Sequence, residues 1–215
     1  LRAATPTRAE VALLVFAKAP QPGRVKTRLV PLLGERGAAR LHARLAERAV
    51  RTAVAAGLGP VELFCAPHAR HPFFAALGRR YRVRLRAQGA GDLGERMYRE
   101  FARVLRRADA ALLTGSDCPA LRAADLRTAA RALKRGADAV LAPAEDGGYA
   151  LIGLRRARKS LFRGVDWGSE RVMRQTRARL ERLRCKWVEL RTVWDVDRPE
   201  DVARLRRSGL LRRVP

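Results

Sequence analysis

Asp117 sits where a carboxylate is most useful chemically, three residues beyond the end of an apolar run in LLTGSDCPAL, residues 112–121. Gly115 lets a ligand come close to the backbone and Pro119 stops the strand. A carboxylate projected from there can hold Mg²⁺ or Mn²⁺, hard cations that take oxygen ligands. The alternative is that Asp117 caps the element that follows. A second grouping, KAPQPGRVKTR at 18–28, contains Lys18, a turn-forming Gly23 stiffened by Pro20 and Pro22, and three closely spaced cations, Arg24, Lys26 and Arg28. That composition suits a polyphosphate. It is not a Walker A loop, because only Gly23 precedes Lys26-Thr27, and it also reads as a solvated basic turn.

Three further groupings each have a chemical and a structural reading. In WDVDRPED, 194–201, Asp195 and Asp197 alternate along an extended segment, so at most one is expected to reach a crevice, and Asp197 also reads as the N-cap of a helix opening at Pro199. In PAEDGGYALIGL, 143–154, Glu145 and Asp146 could serve as a general base or simply form a hairpin turn. In QGAGDLGERM, 88–97, Asp92 is either a nucleotide contact or a helix cap. His68 and His71 have no third metal ligand nearby and carry little weight.

The elements that must position these residues alternate. Apolar runs at 11–17, 61–66, 81–87, 110–114, 139–143, 149–153 and 187–193 read as strands. Ala/Leu/Arg-rich stretches at 34–56, 93–107, 121–135, 170–183 and 199–208 read as helices. Such alternation predicts an α/β fold: a mainly parallel sheet covered on both faces, in a three-layer α/β/α, Rossmann-like arrangement. Ligands of such sheets bind beyond the carboxyl ends of the strands, where these polar groupings fall. One domain is expected over 11–215, after a flexible segment at 1–10.

The formal charge of +25 raises the prospect of a nucleic-acid partner. Only five of the 46 basic residues are lysines and the arginines are dispersed, so a compositional bias explains the charge better and nucleic acid is disfavoured. Cys65, Cys118 and Cys185 are far apart and form no zinc or disulfide pattern. No apolar run approaches the roughly 20 residues of a membrane span, and a cytoplasmic location is expected.

Taken in order, GRVKTRL (23–29), GAARLHARL (37–45), GDLGERM (91–97), GSDCPAL (115–121), EDGGYALIGL (145–154) and DVDRPEDV (195–202) resemble the bacterial DUF2064 family of provisionally assigned, radical-SAM/selenodomain-associated glycosyltransferases. Its relatives include phospholactate guanylyltransferases and molybdenum-cofactor nucleotidyltransferases. The resemblance covers nearly the whole chain from about residue 11. It implies the nucleotide-diphospho-sugar transferase fold of glycosyltransferase A type, with Asp117 on a divalent metal (Mg²⁺ or Mn²⁺), Lys26 and Arg28 on nucleotide phosphates, and Asp197, ahead of Asp195, as a second metal ligand. The implied partners are a nucleotide sugar or nucleoside triphosphate and a small-molecule acceptor, with oligomeric state open. The chain departs from the family where Trp167-Gly168-Ser169 replaces a Trp-Ser-Thr tendency. The expected activity is glycosyl transfer from a nucleotide-activated donor. The alternatives are nucleotidyl transfer releasing pyrophosphate and a non-catalytic nucleotide- or nucleic-acid-binding protein.

Overall fold

In a computed structural model that describes residues 9–211, the first strand, β1, runs over Ala9–Lys18. Its seven consecutive buried residues explain its central place, because alternate side chains feed two apolar layers. Leu13, Val15 and Ala17 enter one layer, and Ala12, Leu14 and Phe16 enter the other. Residues 1–8 of the segment expected to be flexible lie outside the described residues, whereas Ala9 and Glu10 already belong to β1.

The other strands are β2 (Val61–Ala66), β3 (Arg84–Ala87), β4 (Ala108–Thr114), β5 (Ala139–Pro143), β6 (Tyr149–Leu154) and β7 (Trp187–Glu189). They form one sheet in the order β3-β2-β1-β4-β6-β5-β7, in which β6 alone runs antiparallel to its neighbours. The helices are α1 (Val30–Ala56), α2 (Pro72–Tyr81), α3 (Leu93–Val104), α4 (Ala123–Lys134), α5 (Lys159–Phe162), α6 (Val172–Arg182) and α7 (Pro199–Ser208). Helices α1, α2 and α4 cover one face of the sheet, and α3, α5 and α6 cover the other. The last helix, α7, seats Val202 and Leu205 against Leu41 and Leu45 of α1.

Three expectations are corrected. Tyr81 closes α2 and does not open a strand. That helix went unread because it is short and lies in a Pro-bounded stretch; Pro72 occupies its first turn and the His71 ring accepts from Phe73 N at 3.2 Å. The first long helix begins before Gly34, whose φ of 65° and ψ of 164° break it into a short lead-in and a long run. The extended stretch at 187–193 is a regular strand only as far as Glu189, followed by a single parallel bridge from Val193 to Ala144. Among the described residues no helix is long and apolar enough to cross a membrane.

Candidate active site

From β1 the chain builds outwards to β2 and β3 on one side, while the sheet continues on the other through β4. Loops leaving the carboxyl ends of β1 and β4 therefore diverge and open a crevice between them. The β1 loop is pinned at both ends. Gly23 holds a left-handed turn (φ 71°) where a Cβ would come 3.1 Å from the Glu35 carboxylate, and Leu29 is fully buried against α1 and α7. Between them Lys26 is itself left-handed (φ 50°) and opens a one-turn 3-10 helix, Thr27–Leu29. A non-glycine residue held there is strained. The consequence is directional: the Lys26 side chain runs inwards and is 5% exposed.

Its Nζ lies 2.8 Å from Asp117 Oδ1 and 3.9 Å from Asp197 Oδ1, while Arg28 pairs with Asp197 at the surface. The two sequence-predicted groups thus converge. A third partner, His42, comes from the buried face of α1. Its Nε2 is 3.0 Å from the Lys18 carbonyl, which can only accept, so Nε2 carries hydrogen and Nδ1 is left facing Asp117 Oδ1 at 3.7 Å. Burial works to raise the Asp117 pKa, but Lys26 and then His42 outweigh it and hold the carboxyl below the usual carboxylate range. Oδ1 is buried while the side chain as a whole is 48% exposed, so the rest of the carboxylate is open to the crevice.

The late aspartates reach the same place by a different route. Val193 N donates to the Pro143 carbonyl, Glu145 N to Val193, and Val196 N to the Asp117 carbonyl, which ties the segment 193–197 across the ends of β5 and β4. Val196 is fully buried, and no regular strand runs through its two neighbours. Asp195 and Asp197 consequently both line the crevice, against the expectation that only one would. Asp197 is not the helix cap either. Asp201 accepts from Asp197 N at 3.0 Å and Arg198 N at 2.7 Å, which leaves the Asp197 side chain for Lys26 and Arg28. Burial, then Asp146, then Asp117 push the Asp195 carboxyl up to about 6, with Lys26 pulling the other way.

Asp146 lies in the turn between β5 and β6, where its Oδ1 accepts from Gly148 N at 2.9 Å. The turn is fixed by Gly147, whose missing Cβ would meet the Glu170 carbonyl at 2.2 Å. Three adjoining depressions of about 460, 840 and 630 Å³ make up the crevice, and Asp146, Gly168 and Asp195 line all three. Lys18 lines the first and third. Glu145 lines only the 840 Å³ depression and is engaged there: both its oxygens are held by Arg204 of α7, at 2.6 and 3.0 Å, and this pairing keeps its pKa low. Asp92 forms a reciprocal cap with Glu95 at the start of α3 and lies outside the crevice.

Sequence reasoning missed His42, Tyr149 and Trp167. The signal for His42 was a polar residue on the apolar stripe of Leu41 and Leu45. Three buried side-chain polar atoms among the described residues make no well-aligned hydrogen bond: His42 Nδ1, Asp117 Oδ1 and Trp167 Nε1. All three residues line the crevice. Buried polar atoms are ordinarily satisfied, so such clustering marks a site.

A divalent cation fits this donor set only in company. Among the described residues no three His, Cys, Asp or Glu side chains converge as a ready cation cage. Asp117 and Asp195 are hard oxygen donors sharing one cavity, and Mg²⁺ or Mn²⁺ is commonly held by one or two carboxylates together with substrate phosphates. The residues present match that pattern.

The fold is that of nucleotide-diphospho-sugar transferases and cytidylyltransferases. The chain belongs to the family described as "Uncharacterized protein conserved in bacteria (DUF2064)", whose model matches residues 49–169. A crystal structure from Desulfovibrio desulfuricans G20, provisionally named a nucleotide-diphospho-sugar transferase, is 30% identical with a TM-score of 0.84, over 94% of this chain and 88% of that one. CMP:2-keto-3-deoxy-manno-octonic acid synthetase complexed with CTP is 13% identical, with a TM-score of 0.56 over 93% and 98%. Glucosyl-3-phosphoglycerate synthase from Mycobacterium tuberculosis, in complex with Mn²⁺, UDP and glucosyl-3-phosphoglycerate, is 10% identical, with a TM-score of 0.55 over 96% and 77%. Among curated proteins no sequence matches.

Proposed function

We propose that this protein is a divalent-metal-dependent transferase that moves a glycosyl group from a nucleotide-diphospho-sugar to a small acceptor. The observation that carries the reading is the 2.8 Å approach of Lys26, from the loop after β1, to Asp117, from the end of β4. Two loops that share no sequence neighbourhood bring a cation and a carboxylate to the point where such sheets bind ligands. Donor phosphates would lie over Lys26 and Arg28, with Asp117 and Asp195 holding Mg²⁺ or Mn²⁺ beside them.

The ion's contribution, when bound, is to neutralise charge building on the departing diphosphate. Lys26 and Arg28 act on the same charge from the protein side. Asp146 is the candidate base, since it lines every part of the crevice and makes only a local turn contact. It would accept the proton of the acceptor hydroxyl as that oxygen bonds to the sugar carbon and the nucleoside diphosphate leaves with the bonding pair. Glu145 is not poised for this while Arg204 holds it.

Nucleotidyl transfer is the second reading, favoured by Arg24, Lys26 and Arg28 all lining the 630 Å³ depression, enough positive charge for a triphosphate. The two differ in the leaving product, nucleoside diphosphate or pyrophosphate. A thermal-shift screen of nucleotide sugars and nucleoside triphosphates, with and without Mg²⁺ or Mn²⁺, tests the site. The midpoint should rise when nucleotide and metal are present together, and in neither Asp117→Ala nor Lys26→Ala. Equal shifts in all three proteins would remove the assignment.

A further inference from the structure

The 460 Å³ depression beside Asp117 differs in character from the two that adjoin it. Its walls are Phe16, Met97, Leu113, Tyr149 and Val172, delivered by β1, α3, β4, β6 and the start of α6, and Trp167 from the loop before α6. Trp167 and Tyr149 meet edge to face, with ring centroids 6.4 Å apart and planes at 89°. The indole can come this close to α3 only because residue 94 is glycine, where a Cβ would come 2.6 Å from Trp167 Nε1. The aromatic wall is therefore built into the packing.

Charge at the rim is equally specific. One cation, Lys18, stands against three carboxylates, Asp117, Asp146 and Asp195. In a chain of net charge +25 this cavity is acidic. A divalent ion arriving with a donor would not reverse that, because the donor brings its own phosphates. No arginine lines this cavity, whereas Arg28, Arg171, Arg174 and Arg198 line the neighbouring 840 Å³ depression among six carboxylates, and Arg24, Arg28 and Arg96 line the 630 Å³ one.

We infer that this cavity is the acceptor subsite, and that it takes an uncharged hydroxyl compound with an apolar or ring-shaped body, to the exclusion of phosphorylated or carboxylated acceptors. The inference rests on the proposed transferase reading for the word acceptor, but the chemistry of the ligand follows from the cavity alone. A ring presents weakly polar C–H faces to Tyr149 and Trp167 while a hydroxyl donates to Asp146. An anion would meet the same carboxylates at close range and be repelled.

The test uses nucleotide-free protein and two probes, phenyl β-D-glucopyranoside and its 6-phosphate, titrated by saturation-transfer NMR at pH 7.5. The neutral probe should bind saturably and at least tenfold more tightly than the phosphate ester. Val172→Trp, which fills the cavity, and Ser169→Trp, which closes its half-exposed rim, should each weaken the neutral probe at least tenfold. The thermal shift produced by nucleotide with metal should persist in Ser169→Trp, which separates a blocked subsite from a misfolded protein. Equal or tighter binding of the phosphate ester overturns the inference, and its loss in Arg174→Ala would move the acceptor to the arginine-lined depression. Absence of saturable binding of the neutral probe, or binding unchanged in both variants, also overturns it. Failure of the nucleotide-and-metal shift in the wild type would sink the transferase reading instead, and leave the probe preference as measured.

Discussion

The loop after β1 and the segment 193–197 deliver opposite charges to one crevice and are held by different means. The loop relies on local backbone geometry: left-handed turns at Gly23 and Lys26, then a buried Leu29. The late segment relies on distant partners, with Val193 N bonded to Pro143, Glu145 N to Val193 and Val196 N to Asp117. The loop should therefore keep its shape if the sheet edge loosens, whereas the aspartates should not. The contrast also shows which residues carry information. In a chain with 46 basic and 21 acidic residues, another arginine in a loop says little, but five aspartates around one crevice oppose the composition.

The sharpest way to break this pairing of walls is at its contact point. Asp117→Asn should lower metal-dependent transfer by about 10²- to 10³-fold, the scale of losing one preorganised charge partner. It should also abolish the joint nucleotide-and-metal shift in melting temperature. A rate within a fewfold of wild type would mean that Lys26 and Asp117 form a structural ion pair beside the chemistry.

Next in size is the division of labour between adjacent carboxylates. Asp146→Asn should cost about 10²-fold in kcat or more if it is the general base. Glu145→Gln should leave the rate unchanged and lower stability by no more than about 1 kcal/mol, since its pair with Arg204 is solvent-exposed. The reverse ranking would transfer the base to Glu145 and require Arg204 to release it. Kinetics of the two variants side by side, with urea unfolding, separate these outcomes.

Smaller again is the effect of Lys26 on stability. Lys26→Ala leaves a buried carboxylate oxygen without its nearest cation, and should destabilise by about 1–2 kcal/mol. That is less than the ~3–5 kcal/mol of a fully buried broken pair, because water reaches half of Asp117. Arg28→Ala, at the exposed rim, should change stability by less than about 1 kcal/mol. Denaturant midpoints at neutral pH measure both.

The fold and the first half of the site were legible because they depend on short-range pattern. Seven apolar residues from Val11 to Ala17 announce a strand buried on both faces, and Lys26 and Asp117 lie in the loops that leave β1 and β4. The last helix is read to the residue, since Pro199 and the acids after it mark its start. The rest was hidden because it depends on pairing at long range. That Asp195 and Asp197 both face inwards is decided by Val196 bonding to a residue 79 positions away, and the retirement of Glu145 by Arg204 from α7. Nor does spacing distinguish Asp92, which became a cap, from Asp117, which did not.

The remaining prediction concerns Asp195 and acts through pH. Its folded pKa is raised to about 6, by burial first and then by Asp146 and Asp117. An acid with a raised folded pKa binds its proton more tightly in the native state, so its contribution is fully present below the unfolded value and fades as pH rises to about 6. Asp117 works in the opposite sense and lower down, because its depressed pKa gives stability that is lost only as pH falls below the usual aspartate range. Between about pH 4 and 6 the Asp195 contribution should have a slope of at most about 1.4 kcal/mol per pH unit, the limit for one proton. Subtracting the urea-unfolding profile of Asp195→Asn from that of the wild type isolates it from other carboxylates. A difference profile that is flat, or that rises with pH, would mean Asp195 is solvated and too far from Asp117 to share an ion with it. A falling profile that Mn²⁺ and nucleotide together abolish would tie the two carboxylates to one cation, since an ion beside Asp195 favours its charged form.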